Sequence, residues 1–183
     1  MIFEVRWHGR GGQGCWTAST VLALAALSEG KSVQSFPEFG PERMGAPVQA
    51  FTRISDKKIR MHCNIYRPNA VVVLDPTLLG RSVVEGLVEG GALVVNTKST
   101  PSQVKSSLGI HGVKVWTVDA SRIALEVLGR EITNTPMIGA LVKATGVVKI
   151  DSVISAVKER FPGELGEKNA TVVRRAYDET VGE

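Results

Sequence analysis

A glycine-rich segment near the amino terminus, Gly9-Arg10-Gly11-Gly12-Gln13-Gly14, constrains the fold of this chain more than any other feature. An apolar run over residues 2–7 precedes it, and residues 15–27 have the composition of a helix. A strand, a glycine turn and a helix in this order direct free backbone N–H groups and a helix N-terminus toward an anion, usually a phosphate. Glycine suits such turns because they use positive φ and because a Cβ atom would block a ligand's approach to the backbone. The segment therefore predicts an α/β fold with an anion-binding loop.

The glycine pattern formally satisfies G-x-G-x-x-G, but the acidic partner of a dinucleotide site is displaced. In a nicotinamide-binding unit, the second strand ends in an acidic residue that contacts the ribose hydroxyls. Here the predicted second strand covers residues 32–36, Pro37 follows it, and Glu38 lies in the expected loop. This displacement argues against NAD or FAD. In an alternative interpretation, the glycines only allow the helix to pack tightly on the strand.

A second loop is predicted over residues 37–47, which contain three prolines and two glycines. The prolines exclude regular structure and reduce the entropy of the free loop. Such a stiff loop is suited to hold Glu38, Glu42 and Arg43 at fixed positions. The alternative is a well-anchored connection whose charges are only solvated.

The remaining pattern predicts a mixed sheet covered by helices. Residues 48–55 alternate like a strand, and a turn at Asp56-Lys57-Lys58 leads to a returning hairpin strand predicted at residues 59–65. Residues 70–74, 92–95 and 113–118 are further strands. Helices are predicted after Asp75, which is expected to cap its turn, at residues 101–108, and after Asp119. We expect a single domain over residues 1–183, a three-layer α/β/α fold with a mixed, mostly parallel sheet and a Rossmann-like first strand–loop–helix.

The last third of the chain is predicted to be helical. A helix beginning at Thr135-Pro136 is apolar almost all round, which indicates burial in the core or contact with another chain. Asp151 is expected to cap a further helix, and residues 165–181 form a closing amphipathic helix.

Composition excludes several functions. A net charge of +4 is far from a nucleic-acid signature, and no apolar stretch is long enough for a membrane span. The first strand begins at Ile2, which leaves no room for a signal peptide, so we expect a cytoplasmic protein. Cys15 and Cys63 form no C-x-x-C pair, and we expect no metal site. No catalytic constellation is predicted.

Two motifs together resemble a known family. H-G-R-G-G-Q-G (residues 8–14) and F-P-E-F-G-P-E-R-M-G-A-P-V-Q-A-F-T-R-I-S (residues 36–55) are similar to the gamma subunit of 2-oxoacid:ferredoxin oxidoreductases, especially those acting on pyruvate or 2-ketoisovalerate. The similarity continues through residues 71–76, 134–140 and 163–169 and so covers essentially the whole chain. One departure is Met44, where such chains often carry a second basic residue.

The resemblance implies that the chain is a subunit of an enzyme complex and that this subunit is inactive alone. Such complexes oxidatively decarboxylate pyruvate or a branched-chain 2-oxoacid with coenzyme A, giving acyl-CoA and CO2. They pass the electrons to ferredoxin and also run in reverse. Thiamine diphosphate, magnesium and iron–sulfur clusters would then belong to the alpha, beta and delta subunits, in the cytoplasm of an anaerobe.

Coenzyme A is a polyanion, and a glycine loop at a helix start suits its phosphates. The expected binding residues are Gly9, Arg10, Gly11, Gly12, Gln13, Gly14, Glu38, Glu42 and Arg43. Two alternatives stay open, namely a purely architectural subunit and a stand-alone Rossmann-type nucleotide-binding enzyme.

Overall fold

A seven-stranded sheet forms the centre of the computed structural model, which describes residues 1–38 and 43–183. Its strands are β1 (Ile2–Arg10), β2 (Ser32–Pro37), β3 (Pro47–Ser55), β4 (Ala70–Val73), β5 (Ala92–Asn96), β6 (Lys114–Val118) and β7 (Val181–Gly182). They are arranged in the order β2-β3-β1-β4-β5-β6-β7.

The sheet is mixed, as predicted. β1, β4, β5 and β6 are parallel neighbours, whereas β3 pairs antiparallel with both β1 and β2. β2 therefore runs in the direction of β1, so that β3 and the antiparallel β7 are the strands that oppose the other five. The carboxyl ends of those five strands meet at one edge of the sheet.

Helices cover both faces of the sheet, which confirms the three-layer α/β/α fold. They are α1 (Cys15–Ser28), α2 (Arg81–Val84), α3 (Pro101–Leu108), α4 (Ala120–Leu128), α5 (Asn134–Thr145), α6 (Ile150–Arg160) and α7 (Glu164–Glu179). The larger hydrophobic cluster joins α1 and α4–α7 to one face. The smaller cluster joins α2 and α3 to the other face. Burial of alternate strand residues on each face supplies the main stabilisation.

Helix α5 lies in the core, which explains why its sequence has no polar face. Met137 is fully buried within the chain itself. A Cβ atom on Gly139 would clash with the backbone carbonyl oxygen of Val173, so glycine at this position lets α7 approach closely. Of the two explanations for the apolar sequence, core burial is correct.

The returning strand predicted at residues 59–65 was wrong, because this segment contains no helix or strand. It instead crosses one face of the sheet in an irregular path. Its carbonyl groups satisfy polar side chains of the strands below: Gln34 Nε2 donates to Met61 O at 2.8 Å and Arg53 Nη2 donates to Asn64 O at 3.1 Å. Arg53 is almost fully buried and forms an ion pair with Glu4. The segment therefore does not pair as a strand, because its carbonyl groups accept hydrogen bonds from polar side chains of β2 and β3.

Several boundaries also differ from the sequence prediction, and α5, for example, begins at Asn134 and not at Thr135. The helix expected after Asp75 is broken into a 3₁₀ turn (Pro76–Leu78) and the short α2, because Leu79 and Gly80 are extended. The prediction that Asp75 caps this turn is confirmed, since its carboxylate accepts from Thr77 N. Helix α6 begins at Ile150 after the extended Lys149, so Asp151 lies in its first turn and does not cap it. Val181 belongs to β7 because it pairs with Thr117.

Candidate functional site

The glycine loop (residues 9–14) packs directly on the described end of the second loop (residues 43–47). Gly11 N donates to Ala46 O at 2.8 Å, and Gly45 N donates to Gly11 O at 3.1 Å. A Cβ atom on Gly11 would clash with the backbone carbonyl oxygen of Arg43. The absence of a side chain at Gly11 is therefore what allows the two loops to meet.

Two glycines of the loop have left-handed backbone conformations that favour glycine. Gly12 has φ +93° and Gly14 has φ +79°. Gly14 is also the N-cap of α1, and a Cβ atom there would contact the side-chain amide of Asn134 at the start of α5. Because glycine has no side chain, it leaves the first turn of α1 without a side-chain cap.

A polar network fixes the loop to the end of β4. Gln13 Oε1 accepts from Arg10 N at 2.7 Å, and Gln13 Nε2 donates to Asp75 Oδ2 at 2.8 Å. Arg10 Nε lies 3.3 Å from the same carboxylate oxygen, and Arg10 Nη2 donates to Thr77 Oγ1 at 2.9 Å. Burial opposes ionisation of Asp75, but the hydrogen bonds from Thr77 and Gln13 and the charge of Arg10 outweigh it and lower the pKa of the carboxyl group.

This network lies where β1 and β4 adjoin at the carboxyl edge of the sheet. The connections from β1 and from β4 lead to opposite sides at this point, which is where open α/β sheets commonly bind ligands. A cavity of about 370 Å³ lies at this point, and its lining includes Gln13, Asp75 and Thr77. A second cavity, of about 250 Å³, opens on the β2–β3 side of the glycine loop and is lined by residues that include Arg10, Gly12, Gly14, Trp16 and Gln49. It lies over the first turn of α1, which has no acidic residue. The free N–H groups of this turn favour a negative charge in the cavity, and the Arg10 guanidinium, which is paired with Asp75, adjoins it.

The structure brings most of the predicted binding residues together. The residues of the glycine loop (Gly9, Arg10, Gly11, Gly12, Gln13 and Gly14) form one unit with Asp75. The main chain of Arg43 packs against Gly11, and Arg43 is exposed to solvent. Glu38 lies instead on a neighbouring cavity of about 270 Å³ with His8. Glu42 lies outside the described residues.

His8 serves as an acceptor inside the sheet. Arg6 Nε donates to His8 Nε2 at 3.0 Å, while Arg6 Nη2 donates to the carbonyl oxygens of Val83 and Glu85 at 2.8 and 2.7 Å. Burial, with the neighbouring Arg6 charge, lowers the pKa of His8 to about 4. His8 is therefore neutral at pH 7 and ties β1 to α2 through Arg6.

Cys15 begins α1, a position that often activates thiols. Its side chain is only 3% exposed, and burial raises the pKa of the thiol to about 12. The thiol form therefore persists at physiological pH, and Cys15 packs as a small apolar residue.

Sequence reasoning missed two residues that complete the site, Thr77 and Asn134. Thr77 follows β4, and its hydroxyl oxygen accepts a hydrogen bond from Arg10. Asn134 is the first residue of α5 and lies beside Gly14. Their signal was topological, since strand ends and helix starts gather at the carboxyl edge of a parallel sheet. Within residues 1–38 and 43–183, no three His, Cys, Asp or Glu side chains are grouped to hold a metal ion. In the same residues no helix combines the length and apolar character that crossing a membrane requires.

Comparison with known proteins places the chain in a family. The family model described as pyruvate ferredoxin/flavodoxin oxidoreductase matches residues 4–179. The chain is 56% identical to the pyruvate/ketoisovalerate oxidoreductases common subunit gamma of Thermococcus litoralis, over 98% of both chains. It is 53% identical to the pyruvate synthase subunit PorC of Methanocaldococcus jannaschii, over 97% of both. The crystal structure of the pyruvate oxidoreductase subunit PORC of Thermotoga maritima superposes with a TM-score of 0.90 at 45% identity, covering 100% of this chain and 98% of the other. The chain therefore belongs to the pyruvate ferredoxin/flavodoxin oxidoreductase family.

Proposed function

We propose that this chain is the gamma subunit of a pyruvate or 2-ketoisovalerate:ferredoxin oxidoreductase. The observation that carries the proposal is the match over nearly the full length of both chains to gamma and PorC subunits. The complex would oxidise a 2-oxoacid with coenzyme A to acyl-CoA and CO2, reduce ferredoxin, and also run in reverse. Thiamine diphosphate, magnesium and the iron–sulfur clusters would be held by the alpha, beta and delta subunits.

The proposal is tested by purifying the tagged chain from its native host without oxygen. Mass spectrometry identifies the proteins that accompany it, and pyruvate and 2-ketoisovalerate are compared in a coenzyme A-dependent assay of ferredoxin reduction. We expect a complex with alpha, beta and delta subunits that is active on at least one of these substrates. Recovery of the chain alone, or in a complex without such activity, would contradict the proposal.

We further propose that the glycine loop contacts a phosphate of coenzyme A in the cavity above α1. The uncapped first turn of α1 supports this contact because its free N–H groups can bind a phosphate, and Arg10, although paired with Asp75, lies on the wall of the same cavity. The glycines also pack against the second loop and Asn134, so an alanine at these positions would disturb packing as well as binding. A substitution at Trp16, which is 56% exposed on the cavity wall, separates the two effects.

Trp16→Glu places a carboxylate at the second position of α1, where the helix dipole favours a negative charge and folding is retained. A carboxylate about 5 Å from a bound phosphate costs between about 0.8 kcal/mol, when water screens the pair fully, and about 3 kcal/mol at the effective dielectric constant of a protein surface. We therefore expect the KM for coenzyme A to rise about tenfold relative to Trp16→Gln, with the KM for the 2-oxoacid unchanged.

Trp16→Gln is the matched control because it removes the same indole ring without adding charge. Equal KM values for coenzyme A in the two variants would contradict the phosphate contact. Loss of both variants from an otherwise intact complex would favour the architectural role.

A further inference from the structure

The two outer edges of the sheet differ in whether other residues of the chain cover them. At one edge, β7 pairs with β6, and Glu183 N donates to Val115 O at 3.2 Å. The Glu183 carboxylate accepts from Ser102 Oγ at 2.5 Å and from Lys105 Nζ at 3.1 Å. The carboxyl-terminal residues thus cover this edge, which is a common protection against unwanted strand pairing.

The opposite edge is formed by β2, and its outward groups can be identified from the register. Glu38 N donates to Gln49 O, and the antiparallel pattern then places Gln34 and Phe36 in hydrogen-bonded pairs with β3. Val33 and Ser35 lie between these pairs, so their N–H and C=O groups point away from β3. Among the described residues, no main-chain group pairs with these outward groups.

A positively charged segment lies beside this edge. The strap, residues 57–67, contains four exposed cations and no Asp or Glu. Three of these cations, Lys57, Lys58 and Arg60, precede Met61, whereas Arg67 lies at the far end of the strap, close to Gly86 and to the start of β4. The hydrogen bond from Gln34 Nε2 to Met61 O places the strap alongside β2.

The strap cations have no counter-charge in the described parts of the chain. No described carboxylate lies within 4.0 Å of any of the four. The nearby Asp56 forms its ion pairs with Lys31 and the amino terminus. The edge therefore combines unpaired main-chain groups with a surplus of positive charge.

We propose that the β2 edge receives an extended segment of a partner subunit that carries Asp or Glu side chains facing the strap. Main-chain hydrogen bonds to Val33 and Ser35 would supply the pairing, and the strap would select an acidic segment. A second copy of this chain fits poorly, because a twofold β2–β2 pairing would bring two positive straps together. The inference rests on the proposed function only in requiring that the chain be a subunit of a complex.

Amide hydrogen exchange tests the proposal without any substitution. The free chain and the purified native complex are compared residue by residue. We expect exchange at the Val33 and Ser35 amides to slow by at least about tenfold in the complex. The Gln34 and Phe36 amides, which bond to β3, are protected in both states and serve as the internal control. Unchanged exchange at Val33 and Ser35 in an intact complex overturns the proposal and leaves the proposed function standing.

Charge reversal tests the choice of partner. The variant Lys58→Glu is expected to slow association with the partner subunits about threefold at low salt, with a smaller effect as salt is raised. Lys114→Glu, an exposed position on β6 near the covered edge, is the matched control. Equal rates in the two variants, or a dimer of the chain alone with protected Val33 and Ser35 amides, contradicts an acidic partner segment. Failure of the unsubstituted chain to form any complex overturns the proposed function as well.

Discussion

The glycines of the loop are required for two different reasons, namely backbone conformation and close packing. Gly12 and Gly14 adopt positive φ, whereas Gly11 matters because a backbone carbonyl of the second loop occupies the space of its missing side chain. Arg10 and Gln13 then tie the loop to Asp75 at the end of β4. The loop is thus held by protein contacts, and one of its open sides is the cavity above α1.

Gly11→Ala is expected to lower the free energy of unfolding by about 1–3 kcal/mol, because the added methyl group forces the two loops apart. Chemical denaturation of the isolated chain measures the change. Gly80→Ala is the control, since the nearest atom to its Cβ would be Leu78 O at 4.0 Å and its backbone is extended. Equal stability of the two variants would show that the loops do not pack as described.

His8 makes stability depend on pH. Its pKa is about 4 in the folded chain and about 6.5 when exposed, so between these values the unfolded chain binds more protons. Stability from neutral His8 is present above pH 6.5 and is lost as pH falls toward 4, by up to about 3 kcal/mol.

His8→Gln is expected to flatten this part of the pH profile, because the amide oxygen still accepts from Arg6 but does not titrate. Denaturation midpoints at several pH values between 7 and 4 compare the variant with the wild type. Parallel profiles for the two proteins would contradict the buried, neutral state of His8.

Among the helices and strands, α5 shows how packing determines a position that the sequence pattern alone does not decide. The apolar sequence of α5 is compatible with core or interface, and the covering α7 determines the outcome. A Glu at position 137 would bury an unpaired charge, which costs more than the chain's marginal stability allows.

Met137→Glu is therefore expected to prevent folding of the isolated chain, as seen by circular dichroism and proteolysis. Leu165→Glu, at a position of α7 that is 52% exposed, is the control and is expected to change stability by less than about 0.5 kcal/mol. A folded Met137→Glu chain would contradict the core position of α5.

Much of the fold was predictable from the sequence because strand runs and helix caps act locally. The alternation over β3, the cap at Asp119 and the glycine turn each indicate structure within a few residues. The strap, β7 and the contact of Asn134 with Gly14 depend on partners far away in sequence. The glycine loop was predictable as part of the site, whereas Thr77 and Asn134 needed the strand order.

For the whole molecule, the described residues form a subunit with distinct surfaces at different ends of one sheet. The carboxyl edge carries the glycine loop and its cavity, and the β2 edge carries the strap. No described side-chain group supplies a metal centre. In the proposed complex, the cofactors of the reaction would be held by the partner subunits.

Reconstitution of the complex with and without this chain tests the gamma-subunit assignment most directly. The alpha, beta and delta subunits are purified without oxygen, and coenzyme A-dependent ferredoxin reduction with pyruvate or 2-ketoisovalerate is measured before and after the chain is added. We expect little activity from the other subunits, none from this chain alone, and full activity when they are combined in equal amounts. Full activity of the other subunits in the absence of this chain, or no gain on its addition, would contradict the assignment.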